Sequence, residues 1–202
     1  MLASHTLVDT HTHTLSLSLS LDLSTSLSTS LDLSPVQIVT VGMSHIKFWV
    51  QKGNSFTSKR GIFGKLGKVE TMLCLTFGSD GKTYTGSASG KICVWEENQL
   101  VRVVNAQKGP MFAIHALEQA FLTGGKDSVV RIWGPDLKKP LHEFALTQAK
   151  VVNGAQLTNT TPAIRALEAE NGMMFAGTST GEVLQFDDRG NITVISQVCV
   201  GV

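Results

Sequence analysis

The chain has 202 residues, 42% of them apolar, with a formal net charge of +1. That is enough apolar material for a core and too little charge for a polyanion binder that works by bulk attraction. Cys74, Cys93 and Cys199 lie far apart with no CxxC pair, which argues against a disulfide framework and against a zinc site. No apolar run approaches the ~18 residues of a membrane helix, and the N-terminus lacks the basic-then-apolar layout of a secretory signal. The expectation is a cytosolic protein with reduced, buried thiols, in which the sequons at Asn159 and Asn191 are incidental.

Residues 1–34 differ in composition from everything that follows. Between positions 14 and 34, sixteen of twenty-one residues are Leu or Ser, and no Lys or Arg precedes Lys47. Leu at every second position from Leu15 to Leu23, with Ser or Asp between, has the period of an amphipathic strand. With no partner strand specified, its register would be weak. The run THTHTLSLSLS (residues 10–20) is also what a CA dinucleotide repeat followed by a CT repeat encodes. The segment therefore reads as a translated microsatellite, disordered or artefactual, at an erroneous gene-model start; peptides from it in native tissue would argue against such a start. The pair His11 and His13 is a by-product of the repeat on this reading, and no cofactor or metal is assigned to it.

From Pro35 the chain becomes short β-type runs broken by Gly, Ser, Asn and Asp. Four of these runs end on an aromatic: IKFW at Trp49, ICVW at Trp95, VRIW at Trp133 and VLQF at Phe186. In the last three, a glycine stands nine residues earlier, at Gly86, Gly124 and Gly177. In the first, Gly42 stands only seven before Trp49, which predicts a shorter or bulged turn. The aromatics are spaced 46, 38 and 53 residues apart, around the ~40–45-residue period of WD-repeat propeller blades.

Each later unit divides into four strands, as a blade requires. The second has them at 72–77, 82–87, 91–95 and 100–104. The third has them at 111–117, 120–123, 129–133 and 141–146, and the fourth at 164–168, 173–177, 182–186 and 192–195. AIRALEAE (163–170) has helical propensity, but its place before NGMMFAGTSTGEV matches the first strands elsewhere, so it is read as strand. The expected fold is all-β, with three complete four-stranded WD-repeat blades plus the closing part of another in residues 35–202. Propellers close with 4–8 blades, and an open stack leaves unpaired edges. The chain is therefore expected to be a fragment of a larger propeller whose remaining blades lie elsewhere. Self-association to complete a ring is the alternative.

The stretch HIKFWVQKGNSFTSKRGIFGKLGK (45–68) resembles the junction found in echinoderm microtubule-associated protein-like (EML) proteins. There an HI-x-FW strand end precedes a G-N turn and a [KR]-x-GIFGK segment. MLCLTFG (72–78), YTGSASGKICVW (84–95), FLTGGKDSVVRIW (121–133) and TSTGEVLQFD (178–187) continue the resemblance, which covers roughly residues 36–196. It implies an atypical propeller in a cytoplasmic, cytoskeletal protein that binds tubulin and microtubules. Departures from the family pattern are the absence of an N-terminal coiled coil, of a preceding hydrophobic motif, and of room for the family's second propeller.

Few residues offer other chemistry. Asp127 sits where WD repeats place a turn aspartate and is read as structural, its carboxylate serving turn N–H groups; Ser89 and Thr180 occupy the equivalent places. GKLGK (64–68) is not a phosphate loop, because Lys68 is followed by Val69 rather than Ser or Thr. Lys52, Lys59, Arg60, Lys65 and Lys68 form a basic connector with no acidic residue before Glu70. Beside its reading as a solvated link stands a sharper one, in which Lys59, Arg60, Lys65 and Lys68 contact an acidic protein such as tubulin. His45, His115 and His142 lack metal-ligand spacing, and no GxSxG elbow occurs. The tryptophans end repeat strands, so they read as packing residues rather than a platform for nucleic-acid bases. The functional expectation is a non-catalytic protein-binding platform; a generic WD-repeat scaffold and, further off, a propeller enzyme are the rivals.

Overall fold

The structure is a computed structural model that describes residues 3–8, 14–20, 37–187 and 189–197. Strands β1 (Ala3–Val8), β2 (Thr14–Ser20), β3 (Gln37–Gly42), β4 (His45–Lys52) and β5 (Ser55–Arg60) form one antiparallel sheet in chain order. The second sheet holds β6 (Met72–Phe77), β7 (Thr83–Ser87), β8 (Lys91–Glu96) and β9 (Gln99–Asn105). The third holds β10 (Met111–Ala116), β11 (Phe121–Gly125), β12 (Val129–Trp133) and β13 (Pro140–Ala145). The fourth holds β14 (Ile164–Glu170), β15 (Met173–Thr178), β16 (Glu182–Phe186) and β17 (Ile192–Gln197). Every sheet is a plain up-and-down meander, the product of short β-rich runs separated by reversals. Gly81, Gly90, Gly172 and Gly181 supply positive φ at four of those reversals, where a Cβ would be strained.

The sheets pack face to face through three apolar seams. Val39, Val41, Ile46 and Phe48 of the first sheet meet Met72, Leu75, Phe77, Cys93, Trp95 and Leu100 of the second. Ile92 and Val94 of the second meet Met111, Phe121 and Trp133 of the third. Val130 and Phe144 of the third meet Ile164, Leu184, Phe186 and Ile192 of the fourth. Strands β2, β6, β10 and β14 are neighbours from sheet to sheet, so each sheet's first strand from β6 onward lies at a common inner edge. The sheets radiate from it, with β5, β9, β13 and β17 outermost. That is blade-on-blade packing. Burying an aromatic or aliphatic side chain in such a seam stabilises by roughly 1.5–3 kcal/mol.

The same irregularities recur in successive sheets. A register shift falls near the start of the first strand, between Met72 and Cys74, Met111 and Ala113, and Ile164 and Ala166. A second falls between the third and fourth strands. It leaves Val101, Leu141 and Ile195 without a register partner, and these are among the exposed large apolar residues. A bulge leaves its extra residue outside the ladder and bends the strand.

All twelve strands expected in the second to fourth units are present, with ends shifted by a residue or two, and residues 164–170 are strand. The first unit is fuller than expected. β3 and β4 join through Met43 and Ser44 alone, the short turn that the Gly42–Trp49 spacing predicts, with no register shift. β4 runs on past Trp49 to Lys52, and Gly53 at φ +58 turns the chain into β5. Residues 55–60, expected to be connector, are thus a strand. The edge of β3 supplies the partner that the Leu/Ser repeat lacked: Ser16 pairs with Val41 and Leu19 with Ile38. The rest of the expected disordered segment, like Cys199, lies outside the described residues.

Candidate partner-binding face

In an up-and-down sheet, the hairpin between second and third strands lies at the same end as the connector entering the first strand. Connectors 61–71, 106–110 and 146–163 therefore gather at one end with the hairpins at 88–90, 126–128 and 179–181. Each connector is latched to the hairpin of its own sheet. Ala88 N–H donates to Thr71 O (2.9 Å), Lys126 N–H to Pro110 O (2.9 Å) and Ser179 N–H to Ala163 O (2.8 Å). The latch fixes this loop-rich end on a rigid base.

Side chains reinforce it differently in each sheet. In the second, Ser89 Oγ donates to Glu70 Oε2 (2.5 Å), and Lys91 Nζ lies 3.7 Å from the same carboxylate. In the third, Asp127 accepts from Val129 N–H (3.4 Å) and Lys108 N–H (3.3 Å), and pairs with Arg131 Nη1 at 2.8 Å. Arg131 Nε also reaches Glu143 Oε1 at 2.6 Å. In the fourth, Glu182 is 1% exposed and accepts from the Thr178 and Thr180 hydroxyls and from Thr158 N–H (2.9 Å). Burial alone would raise its pKa, but those hydrogen bonds prevail and hold the carboxyl down at about 2.

The strand-ending tryptophans carry a recurring bond that the sequence reading missed. Trp95 Nε1 donates to Thr85 Oγ1 (3.0 Å), Trp133 Nε1 to Thr123 Oγ1 (2.9 Å) and Trp49 Nε1 to Thr40 Oγ1 (3.1 Å). The signal was present as a threonine ten residues before Trp95 and Trp133, and nine before Trp49 across its shorter turn. Gly86 and Gly124 follow these threonines and face the next sheet. A Cβ on Gly86 would stand 2.5 Å from Cys74 Sγ and Met111 Sδ; on Gly124 it would stand 2.5 Å from Ile164 Cγ2. Gly177, with only Ala166 Cβ at 3.5 Å, is not crowded.

Lys59, Arg60, Lys65 and Lys68 are all exposed. Lys59 and Arg60 end β5, where strand alternation turns them to opposite faces; Lys65 and Lys68 lie in the 61–71 connector. Arg60 is directly opposite Lys47 in the β4–β5 register, and Lys47 Nζ lies 5.4 Å from the Trp49 ring centroid. Among the described residues none of these cations has a carboxylate partner. His45, also on β4, has its pKa lowered first by burial and then by the charges of Lys47 and Arg60. The thiols of Cys74 and Cys93 are buried, with pKa values pushed up to about 12, chiefly by burial; as neutral thiols they are poor nucleophiles and ligands. Among the described residues no group of three or more His, Cys, Asp or Glu could hold a metal, and no helix is long and apolar enough to cross a membrane.

Four radially packed meanders, tied by Trp–Thr bonds and hairpin latches, define a WD-repeat β-propeller segment. Solved structures agree on the fold. The WD40 repeats of RRP9 align with a TM-score of 0.61 at 16% identity, covering 78% of this chain and 47% of that one. The computationally designed Ika4 protein aligns with a TM-score of 0.55 at 16% identity, covering 75% and 84%. The family profile described as "Echinoderm microtubule-associated protein first beta-propeller" matches residues 24–186. The chain belongs to that family. It is 35% identical over 166 residues to Echinoderm microtubule-associated protein-like 1 of Mus musculus and 31% identical over 156 residues to Echinoderm microtubule-associated protein-like 2 of Homo sapiens. The first match covers 79% of this chain and the second 75%. The chain spans about a fifth of those relatives' length, 19% and 22%.

Proposed function

We propose that this chain is a non-catalytic propeller segment that binds tubulin or microtubules and works in the cytoplasm on the cytoskeleton. The observation that carries the reading is the family match over residues 24–186, whose relatives are named as microtubule-associated proteins. Residues 35–202 are the propeller part on this reading. Gly86, Trp95, Gly124, Asp127, Trp133, Gly177 and Phe186 serve its architecture rather than its contacts. Contact falls to the loop-rich end, where Lys59, Arg60, Lys65 and Lys68 are exposed with no carboxylate partner among the described residues. Long-range attraction between these cations and an acidic surface would raise the association rate more than the final affinity.

The test is co-sedimentation with polymerised tubulin in low salt. Reversal of Lys59, Arg60, Lys65 and Lys68 to Glu is expected to reduce pelleting, and added salt to weaken the unmodified protein's pelleting. Pelleting unchanged by the reversal would remove these four residues from the contact, and no pelleting of the unmodified protein would remove the reading itself.

A further inference from the structure

The first sheet carries an electrostatic arrangement that its own packing does not explain. Lys47 and Arg60 are direct cross-strand partners in the β4–β5 ladder, and like charges so placed destabilise a sheet. The other sheets avoid this at the matching place: Cys93 faces Val103, and Arg131 faces Glu143. His45, two residues from Lys47 on the same strand, adds a third basic side chain. Thr40 Oγ1 accepts from Trp49 Nε1 and lies 3.1 Å from His45 Nε2. The threonine hydroxyl is free to donate to Nε2, and in that tautomer the neutral ring carries its proton on Nδ1 as a remaining donor.

These three side chains line a pocket of about 300 Å³ at the loop-rich end, between the β3–β4 turn and the 61–71 connector. That is the small end of the ligand-cleft range, enough for a side chain or two rather than a folded element. Phe63 and Val69 line it as well, so methylene groups as well as charge can be accommodated. Val69 is 60% exposed. Arginine's planar fork matches a carboxylate in two-point contact, while lysine supplies a point charge.

We infer that this pocket is a docking site for glutamate side chains of an acidic peptide, held at their carboxylates by Arg60, Lys47 and His45 and along their stems by Phe63 and Val69. The inference rests on the acidic-partner reading above and locates it at a concave site on the first sheet. An occupying carboxylate would relieve the Lys47–Arg60 repulsion, so the ligand gains from a cost the free protein already bears.

The test is fluorescence anisotropy of a labelled hexaglutamate peptide with the full 202-residue chain. Binding that weakens with salt is expected, and paired Lys47→Gln and Arg60→Gln substitution is expected to reduce affinity about tenfold, the equivalent of ~1.4 kcal/mol. Lys138→Gln with Lys139→Gln, which removes the same charge at the opposite end of the third sheet, is expected to leave affinity unchanged. Should the first pair fail to fold, Ser44→Asp gives a second route. Ser44 is at φ +48 on the exposed turn and lines the pocket; aspartate tolerates that backbone region and would place a competing carboxylate there. Equal losses from the two lysine-containing pairs, or an unaffected Ser44→Asp variant, would overturn the site. Absence of hexaglutamate binding in a chain that still pellets with microtubules would sink the pocket and leave the functional reading standing. Pocket-dependent hexaglutamate binding without pelleting would do the reverse.

Discussion

A tryptophan in a propeller seam brings an indole N–H that must find an acceptor, because an unpaired buried donor costs about 1–3 kcal/mol. The second and third sheets solve this with Thr85 and Thr123. The fourth removes the problem: Phe186 stands for tryptophan, and Ala176, ten residues before it, stands for threonine, both 1% exposed. Donor and acceptor have been exchanged together. Thr123→Ala alone is therefore expected to destabilise by about 1–3 kcal/mol, and addition of Trp133→Phe to recover part of that loss. A urea-denaturation cycle should give a coupling of about 1 kcal/mol, whereas additivity within ~0.5 kcal/mol would mean that the bond contributes nothing specific.

Glu182 sets a second residue-level expectation. Its folded pKa is depressed to about 2 from 4.5, so its stabilisation is fully present above the unfolded value and is lost as pH falls from there through about 2. The wild-type thermal midpoint should drop over that interval, and the Glu182→Gln variant should lack that part of the drop while being less stable at neutral pH. Identical acid profiles would show that the carboxylate does not hold the 146–163 connector through Thr158.

At the scale of strands, legibility tracked how far burial shaped the residues. β6, β8, β10 and β12 were legible because both faces pack, which selects β-branched and aromatic residues; β16 was legible from its one buried face, Leu184 and Phe186, with Val183 exposed. Residues 164–170 were legible only through position. Their Ala and Glu favour helix, but the first-strand place beside β15 and the Asn171-Gly172 reversal override that preference. β5 was not legible. SFTSKR is exposed at all six positions and forms the sheet's outer edge, so no apolar alternation was imposed on it; it was read as part of a basic connector. The candidate pocket shared that blindness. Lys47 and Arg60 are thirteen residues apart and become neighbours only through the β4–β5 hairpin, whose Gly53-Asn54 turn was visible while the strand after it was not. The Trp–Thr spacing, by contrast, could have been read from the sequence.

Across the whole molecule, the second and third seams each depend on a glycine, Gly86 and Gly124, letting the next sheet approach. Gly124 is pressed by Ile164, a branched side chain with little freedom to withdraw, so Gly124→Ala is expected to cost about 1–3 kcal/mol. Gly177 occupies the same position in the fourth sheet with only Ala166 Cβ, at an ordinary 3.5 Å, before it, and Gly177→Ala should fall within about 0.5 kcal/mol of wild type in this chain. Thermal or urea denaturation of both variants checks the contrast, and equal costs would contradict the packing described. The pair is also a proximity gauge. Wherever this sequence occurs with another sheet seated on its fourth, the cost of Gly177→Ala should climb toward that of Gly124→Ala, so one methyl group reports whether that face has acquired a neighbour.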